Sequence, residues 1–515
     1  MNKKFFISFL IFLLLFYGCS EKPISEKQKA INAYKEKQNR KYTRNFKENF
    51  ICVADDTKRD TFQKSITVSP NGRNITYIGH EVLPNNNVFV RVNGERHKSF
   101  YGIDSRFVVF SPDSQHIAYV ITKKVEGKEK INIILDNNKI GEDYDGLMKP
   151  PFFSPDSKQL AYAAINKDGT FVILNGIKKY PFFDGILGKT LKFTSDSQHL
   201  IYGTGFESKN KYFITIDGIP QKAYSGIGDV VVANNRIAYL VGDKKDNKAQ
   251  MVVVDGIEHE RYDFIVEREL VFSQNGKYLA YAVQKDNKQF LVVNGVEQKK
   301  YDGISTFLFS PNGKRLAYVA SQGEDAFVIL DGKEFKHYSN KSFVDKYGRS
   351  MSSLLGKTFV FSSDSQRFAY GVSDKSSQFM ALDEVEQKRY KRVSQDIAFS
   401  PDNQRFGYIA VNYDDRLLAV VDGKEYPISE GGAAKFCFSP DSKHFAYIIS
   451  DENRWSVVVD GEAGKYYPNL LLDERKTLFN EDGSFHYLIM RDKGIYLVEE
   501  ELIPNVHPRG GRKKG

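Results

Sequence analysis

The sequence predicts an all-β chain, a β-propeller of repeated four-stranded antiparallel blades with about eleven repeats in two propellers. Three observations carry that reading: a recurring ten-residue phrase, its spacing, and a hairpin signal in most repeats. The clearest copy of the phrase is Phe110-Ser-Pro-Asp-Ser-Gln-His-Ile-Ala-Tyr119. It returns at 153–162, 193–202, 272–281, 309–318, 361–370, 399–408 and 438–447, with weaker copies at 68–77, 232–239 and 479–487. The closing tyrosines, Tyr77 to Tyr487, stand 37 to 52 residues apart and mostly near 40, the length of a propeller blade.

Each period divides into four strands. The first ends at the Phe of the phrase. Ser-Pro-Asp-Ser or Ser-Pro-Asn-Gly then turns the chain, because Pro presets φ while Asp, Asn and Gly tolerate turn geometry. The Leu-Ala-Tyr segment is the second strand, and a polar connection such as Gln284–Gln289 follows it. Runs such as Met251-Val-Val-Val254 and Phe327-Val-Ile-Leu330 are the third. Next come Asn93-Gly94, Asn175-Gly176, Asp217-Gly218, Asp255-Gly256, Asn294-Gly295, Asp331-Gly332, Asp422-Gly423 and Asp460-Gly461. A type I′ hairpin needs two positive φ angles, which these dipeptides supply. The fourth strand is Lys-Lys-Tyr-like, and Tyr301-Asp-Gly-Ile304 leads into the next unit. The second and third strands are continuously apolar, as expected of sheets covered on both faces. The 39 Phe and 30 Tyr, against one Trp, also favour strands.

The phrase resembles the WD-like repeat of TolB-type periplasmic propellers, which also occurs in propeller domains of prolyl-oligopeptidase-like enzymes. The resemblance covers roughly residues 60–500. It implies the fold and leaves function open, since one propeller scaffold serves many tasks. Eleven blades exceed the usual four to eight in a ring. The expectation is therefore one propeller over 51–303 and a second over 304–504. The extra stretch around Lys341–Lys357 is either an inter-ring linker or a loop on one face.

Lys3-Lys4 and the apolar run Phe5–Tyr17 form an export signal, too short to span a bilayer comfortably. The signal peptide is expected to occupy 1–18. Its end, Phe16-Tyr17-Gly18-Cys19, resembles a bacterial lipobox, with bulkier residues than usual before Gly18. The resemblance implies lipid attachment at Cys19 and a membrane partner through that anchor. Ser20 in place of Asp after the Cys implies the outer membrane, with the protein facing the periplasm. Residues 19–50 are expected to form a basic stalk. Ile31, Tyr34, Tyr42, Phe46 and Phe50 at three- or four-residue spacings suit a helix docked on the body or resting on an anionic membrane; a solvated tether is the other reading. Cys52 and Cys437 are either a disulfide or two separate buried thiols.

The net charge of +9 belongs to the chain ends. Lys3 and Lys4 supply +2, residues 21–50 +5, and the basic tail 505–515 +4, through Arg509, Arg512, Lys513 and Lys514, leaving the body at −2. That balance gives no sign of a nucleic-acid partner.

The sequence has no nucleophile elbow, His-Glu-x-x-His, Walker loop, dinucleotide fingerprint, EF-hand or Cys/His cluster. His116, His199 and His444 occupy a slot that holds Gln, Lys or Arg in other copies, so they read as solvated strand starts. Asp113, Asp156, Asp196, Asp364, Asp402 and Asp441 read as turn formers before calcium ligands. The tyrosine column, Tyr119, Tyr162, Tyr281 and Tyr318, reads as core between blades. No catalytic residue, metal site or cofactor is expected, and no ligand-binding residue is singled out. The expected function is a non-catalytic envelope lipoprotein that binds a protein, peptide or glycan. The alternative is an enzyme, a glycan lyase or hydrolase, with its site in the central channel.

Overall fold

The computed structural model describes residues 42–53, 66–80, 87–178, 185–242, 250–339, 343–344, 350–351, 358–374, 377–428, 431–451, 454–471, 479, 485–492 and 494–504. The expected signal peptide, Cys19 and the tail 505–515 lie outside them. The chain forms two compact units, residues 47–499 and residues 1–46 with 500–515. The first contains the propeller body. In the second, Arg44 Nη2 meets the buried Glu500 Oε2 at 2.6 Å.

Eleven antiparallel blades of four strands each are arranged as a β-propeller, and in blade 7 a further short strand, Tyr338–Ser339, pairs with the third. Blade 2 is typical, with Gly102–Phe110, Ile117–Val125, Lys128–Leu135 and Asn138–Tyr144 hydrogen-bonded in that order. Blades 1 to 10 each use four consecutive strands, from Thr67–Val68 to Glu462–Ala463. Blade 11 takes Leu470–Leu471, Phe485–Arg491 and Gly494–Pro504 from the C-terminal end, and its fourth strand is Tyr42–Val53. Helix is therefore corrected to strand over 42–50. Phe46 and Phe50 share a face in either structure, because a spacing of four fits both a period of 2 and one of 3.6. The rest of the expected stalk lies outside the described residues.

The apolar runs divide between two cores. In blade 3, Leu160, Tyr162 and Ala164 pack with Val120 and Ile133 of blade 2. Ala161 and Ala163 point the other way and pack with Leu200 and Tyr202 of blade 4. The strand alternates normally, but both faces are dry, so hydropathy shows no alternation. The large Tyr of one blade lies against the small Ala face of the preceding one. Blade 8 repeats this, with Tyr370 packed among Ala317 and Val319 of blade 7.

The expected boundary at 303/304 falls between blades 6 and 7. These pack as other neighbours do, through Ala280, Ala282 and Leu291 against Phe307, Tyr318 and Ala320. Blade 11 packs on blade 1, with Leu488, Ile495 and Leu497 against Ile75 and Tyr77. Core packing thus continues across 303/304, and the last blade also meets the first. Within the extra stretch, Phe343–Val344 pairs with Ser350–Met351 as a small ribbon after blade 7.

Candidate functional site

Because consecutive strands are antiparallel, the first-to-second turn and the third-to-fourth hairpin share one edge of each blade. The hairpin aspartate joins them: Asp136 Oδ1 accepts the Ile117 amide at 2.9 Å. Asp217, Asp331 and Asp422 do the same for Leu200, Leu316 and Phe406. Two hairpins escaped the sequence pattern, Asp136-Asn137 and Asp383-Glu384, with φ of 47°, 64°, 50° and 70°. Their second residues lack the Gly that marks the turn, although Asn and Glu occupy the same left-handed region here.

The recurrent aspartates sit where turn chemistry requires. Asp402 accepts from the Ser400 hydroxyl and the Gln404 amide, and these bonds hold its carboxyl below the usual range. Asp113 and Asp156 are alike. The last turn residue is Gly in some blades and a left-handed Ser in others, including Ser114, Ser157 and Ser442. A left-handed non-glycine residue costs roughly 1–2 kcal/mol. Each of these hydroxyls accepts an amide from the preceding blade: Asn71 to Ser114, Asp113 to Ser157, and Asp402 to Ser442. The turns therefore form a belt from blade to blade.

The histidine slot belongs to this belt. His116, His199 and His444 meet Asp136, Asp217 and Asp460 through Nδ1 at 2.6–2.7 Å. In the same slot Arg405 Nε binds Asp422 at 3.0 Å while Nη1 donates to Lys443 O of blade 10 at 2.9 Å. A second set of ties joins fourth strands. Tyr301 and Lys299 donate to Glu334 of the next blade, and Tyr390 and Lys388 to Glu425. Tyr467 and Lys465 donate to Glu48, on the N-terminal strand that completes blade 11.

The first strands are innermost, since they are the strands by which neighbouring blades approach most closely. In eight blades their pairing with the second strand slips at a bulge. Bulges re-aim side chains. Near three of them stand Lys149, Lys192 and Asp229, from blades 3, 4 and 5. Lys192 Nζ donates to Val230 O at 2.7 Å. Burial lowers its pKa, Asp229 opposes that shift, and Lys149 adds to it. Two ammonium groups and one carboxylate on an inner wall can attract an anionic group. Sequence reasoning missed this trio because its members are about 40 residues apart and belong to no motif.

The sequence-derived lipid site, Cys19, lies outside the described residues. Cys437 lies on the innermost strand of blade 10, and Cys52 on the outermost strand of blade 11. Among the described residues, no group of three or more His, Cys, Asp or Glu side chains is placed to hold a metal ion.

No family model matches the chain, and comparison with curated proteins gives no match. Among solved structures the chain is similar to the tricorn protease, at 11% identity over 85% of this chain and 57% of that one, with a TM-score of 0.27. It is similar to dihydro-heme d1 dehydrogenase NirN in complex with DHE, at 13% identity over 70% and 72% of the two chains, TM-score 0.30. It is also similar to the β-propeller domain of Myceliophteria thermophila Cps50 (Swd1), at 13% identity over 55% and 99%, TM-score 0.24. The chain thus spans little more than half of the tricorn protease. Likeness at these identities concerns the fold alone.

Proposed function

We propose that this chain is a non-catalytic, TolB-like envelope lipoprotein, lipidated at Cys19, whose propeller is a binding or scaffolding platform for a protein, peptide or glycan. One observation carries the non-catalytic part. The turn aspartates, the cation slot and the tyrosines and glutamates of the fourth strands are engaged in ties within and between blades, as Asp402, Arg405, Tyr390 and Glu425 illustrate. Such groups build a rigid support, and binding then needs only varied side chains on its exposed faces. The exported, anchored part rests on Lys3-Lys4, the apolar run and Gly18-Cys19.

A pull-down of the full chain from solubilised envelope should retain a partner, while peptidase, esterase, glycosidase and polysaccharide-lyase substrates remain at background. Mass spectrometry of the mature N-terminus should show cleavage at Gly18–Cys19 and a diacylglyceryl group on Cys19. An unmodified Cys19 overturns the anchor.

The second reading, an enzyme in the channel, is favoured by Lys192 alone, an inner-wall lysine whose amine is more readily deprotonated than usual. Turnover that disappears in Lys192→Met would replace the binding-only reading.

A further inference from the structure

The residue that follows the third-to-fourth hairpin occupies one slot per blade. In blades 3, 4, 5 and 6, which are consecutive, that slot holds Ile177, Ile219, Ile257 and Val296. They are 64%, 68%, 68% and 62% exposed. Blades 1, 2, 7, 9 and 10 hold Glu95, Asn138, Lys333, Lys424 and Glu462 there, and the isolated Val385 of blade 8 stands between two lysine slots. Strand propensity favours a β-branched residue at such a start. It does not require one on four neighbouring blades while others carry Lys or Glu. The result is an apolar arc on one side of the turn face.

We infer that this arc rests on the membrane surface to which the lipid anchor tethers the chain. The inference deepens the proposed function and depends on its anchored reading for the tether, though not for the arc. Two observations select a bilayer as the occupant. First, the chain reaches the body from the turn face: Lys47 and Glu499 lie at that end of blade 11, where Arg73 of the blade 1 turn meets Glu499 at 3.4 Å. The 27 residues between Cys19 and Lys47 can span at most about 95 Å, enough for a lipid on Cys19 to reach that face. Second, two ion pairs stand beside the arc. Lys222 meets Glu258 at 2.7 Å, and Arg236 meets Asp255 at 2.8 Å. Paired charges leave less unbalanced charge to repel an anionic headgroup layer while the side chains bury apolar area. A flat layer also suits equivalent hairpin positions repeated from blade to blade.

The chain's only tryptophan, Trp455, is the second residue of the third strand of blade 10, near the edge opposite the turns. This permits a depth measurement on the full mature chain in vesicles of phosphatidylethanolamine and phosphatidylglycerol carrying brominated acyl chains. In a Trp455→Phe background, the indole introduced by Ile219→Trp should lose at least half its emission to bromine and shift to the blue. The indole introduced by Glu462→Trp, in the equivalent slot of blade 10, should retain its emission. Flotation of the same vesicles reports the anchor separately. Chains that float with the Ile219→Trp indole unquenched overturn the docking and leave the anchor standing. Chains that neither float nor show quenching overturn both. Quenching of a chain shown to carry no lipid, abolished by Ile177→Glu with Ile257→Glu, supports the arc and overturns the tether. A concentration-dependent blue shift without vesicles assigns the arc to a second copy and overturns the membrane as occupant.

Discussion

Tyrosine-to-phenylalanine exchange should separate the hydroxyls that tie the blades from those that only pack. Tyr281 and Tyr390 are both 1% exposed. Tyr390 donates to Glu425 at 2.8 Å. The Tyr281 hydroxyl has no hydrogen-bonding partner among the described residues, and burial pushes its pKa above the ordinary tyrosine value. A bond to a charged acceptor contributes about 1.5–3 kcal/mol, and a buried polar group without a partner costs about 1–3 kcal/mol. Tyr390→Phe removes the first, leaving Glu425 with Lys388, and should destabilise by about 2 kcal/mol. Tyr281→Phe keeps the ring among Leu270, Val283 and Phe290 and removes an unsatisfied oxygen. It should stabilise by about 1 kcal/mol. Urea unfolding of the full chain reads both, as midpoints moving in opposite directions at unchanged slope. If Tyr281→Phe lowers the midpoint as much as Tyr390→Phe, its hydroxyl is satisfied by bound water and the reasoning fails.

Burial alone would raise the pKa of Glu48, but the bonds from Lys465 and Tyr467 outweigh it, and Arg491 adds a further attraction. Glu48→Gln should lower the urea midpoint through a loss of about 1–3 kcal/mol; an unmoved midpoint would mean that blades 10 and 11 are held together elsewhere. The acid limit follows from Asp113, Asp156 and Asp402, whose folded pKa values lie below their unfolded ones because serine hydroxyls and backbone amides hold the charged form. Their contribution is fully present above the unfolded value, about 3.9, and is lost as pH falls through the folded ones. Thermal scans should show a flat Tm near neutrality and a fall below about pH 4; a steep fall above pH 6 would point to histidine instead.

Local chemistry made most of each blade legible. Pro and Asp fix the first turn, Asn-Gly and Asp-Gly fix the hairpin, and Tyr119 and Tyr162 lie in the cores between blades as their column suggested. What stayed hidden depends on partners far along the chain. The Lys-x-Tyr pattern was visible in strand four, but its acceptor is a glutamate about 35 residues later, in a strand with its own local rationale. The inner-wall group of Lys149, Lys192 and Asp229 is assembled by bulges, for which the sequence carries no clear mark. Ring closure is also a long-range property: a limit near eight blades per ring suggested two propellers, while the packing shows the Tyr-on-Ala fit across 303/304 and Ile75 and Tyr77 against the last blade. Residues 42–50 were ambiguous because a spacing of four satisfies two periodicities.

The sharing of blade 11 between the two ends of the chain also sets an order of events. Tyr42–Val53 is synthesised, and if exported crosses the membrane, before any of its partners. It must remain unpaired until Gly494–Pro504 arrives, with roughly 440 residues between them. Closing a loop of that length costs about 5 kcal/mol plus a constant in chain entropy. Blades 1 to 10 can shorten it by docking in succession, each on the one before. A nascent chain therefore carries an open edge throughout its synthesis, and its exposed backbone can pair with another chain as readily as with its own C-terminal strand. The first of the blade strands to emerge is the last to be placed.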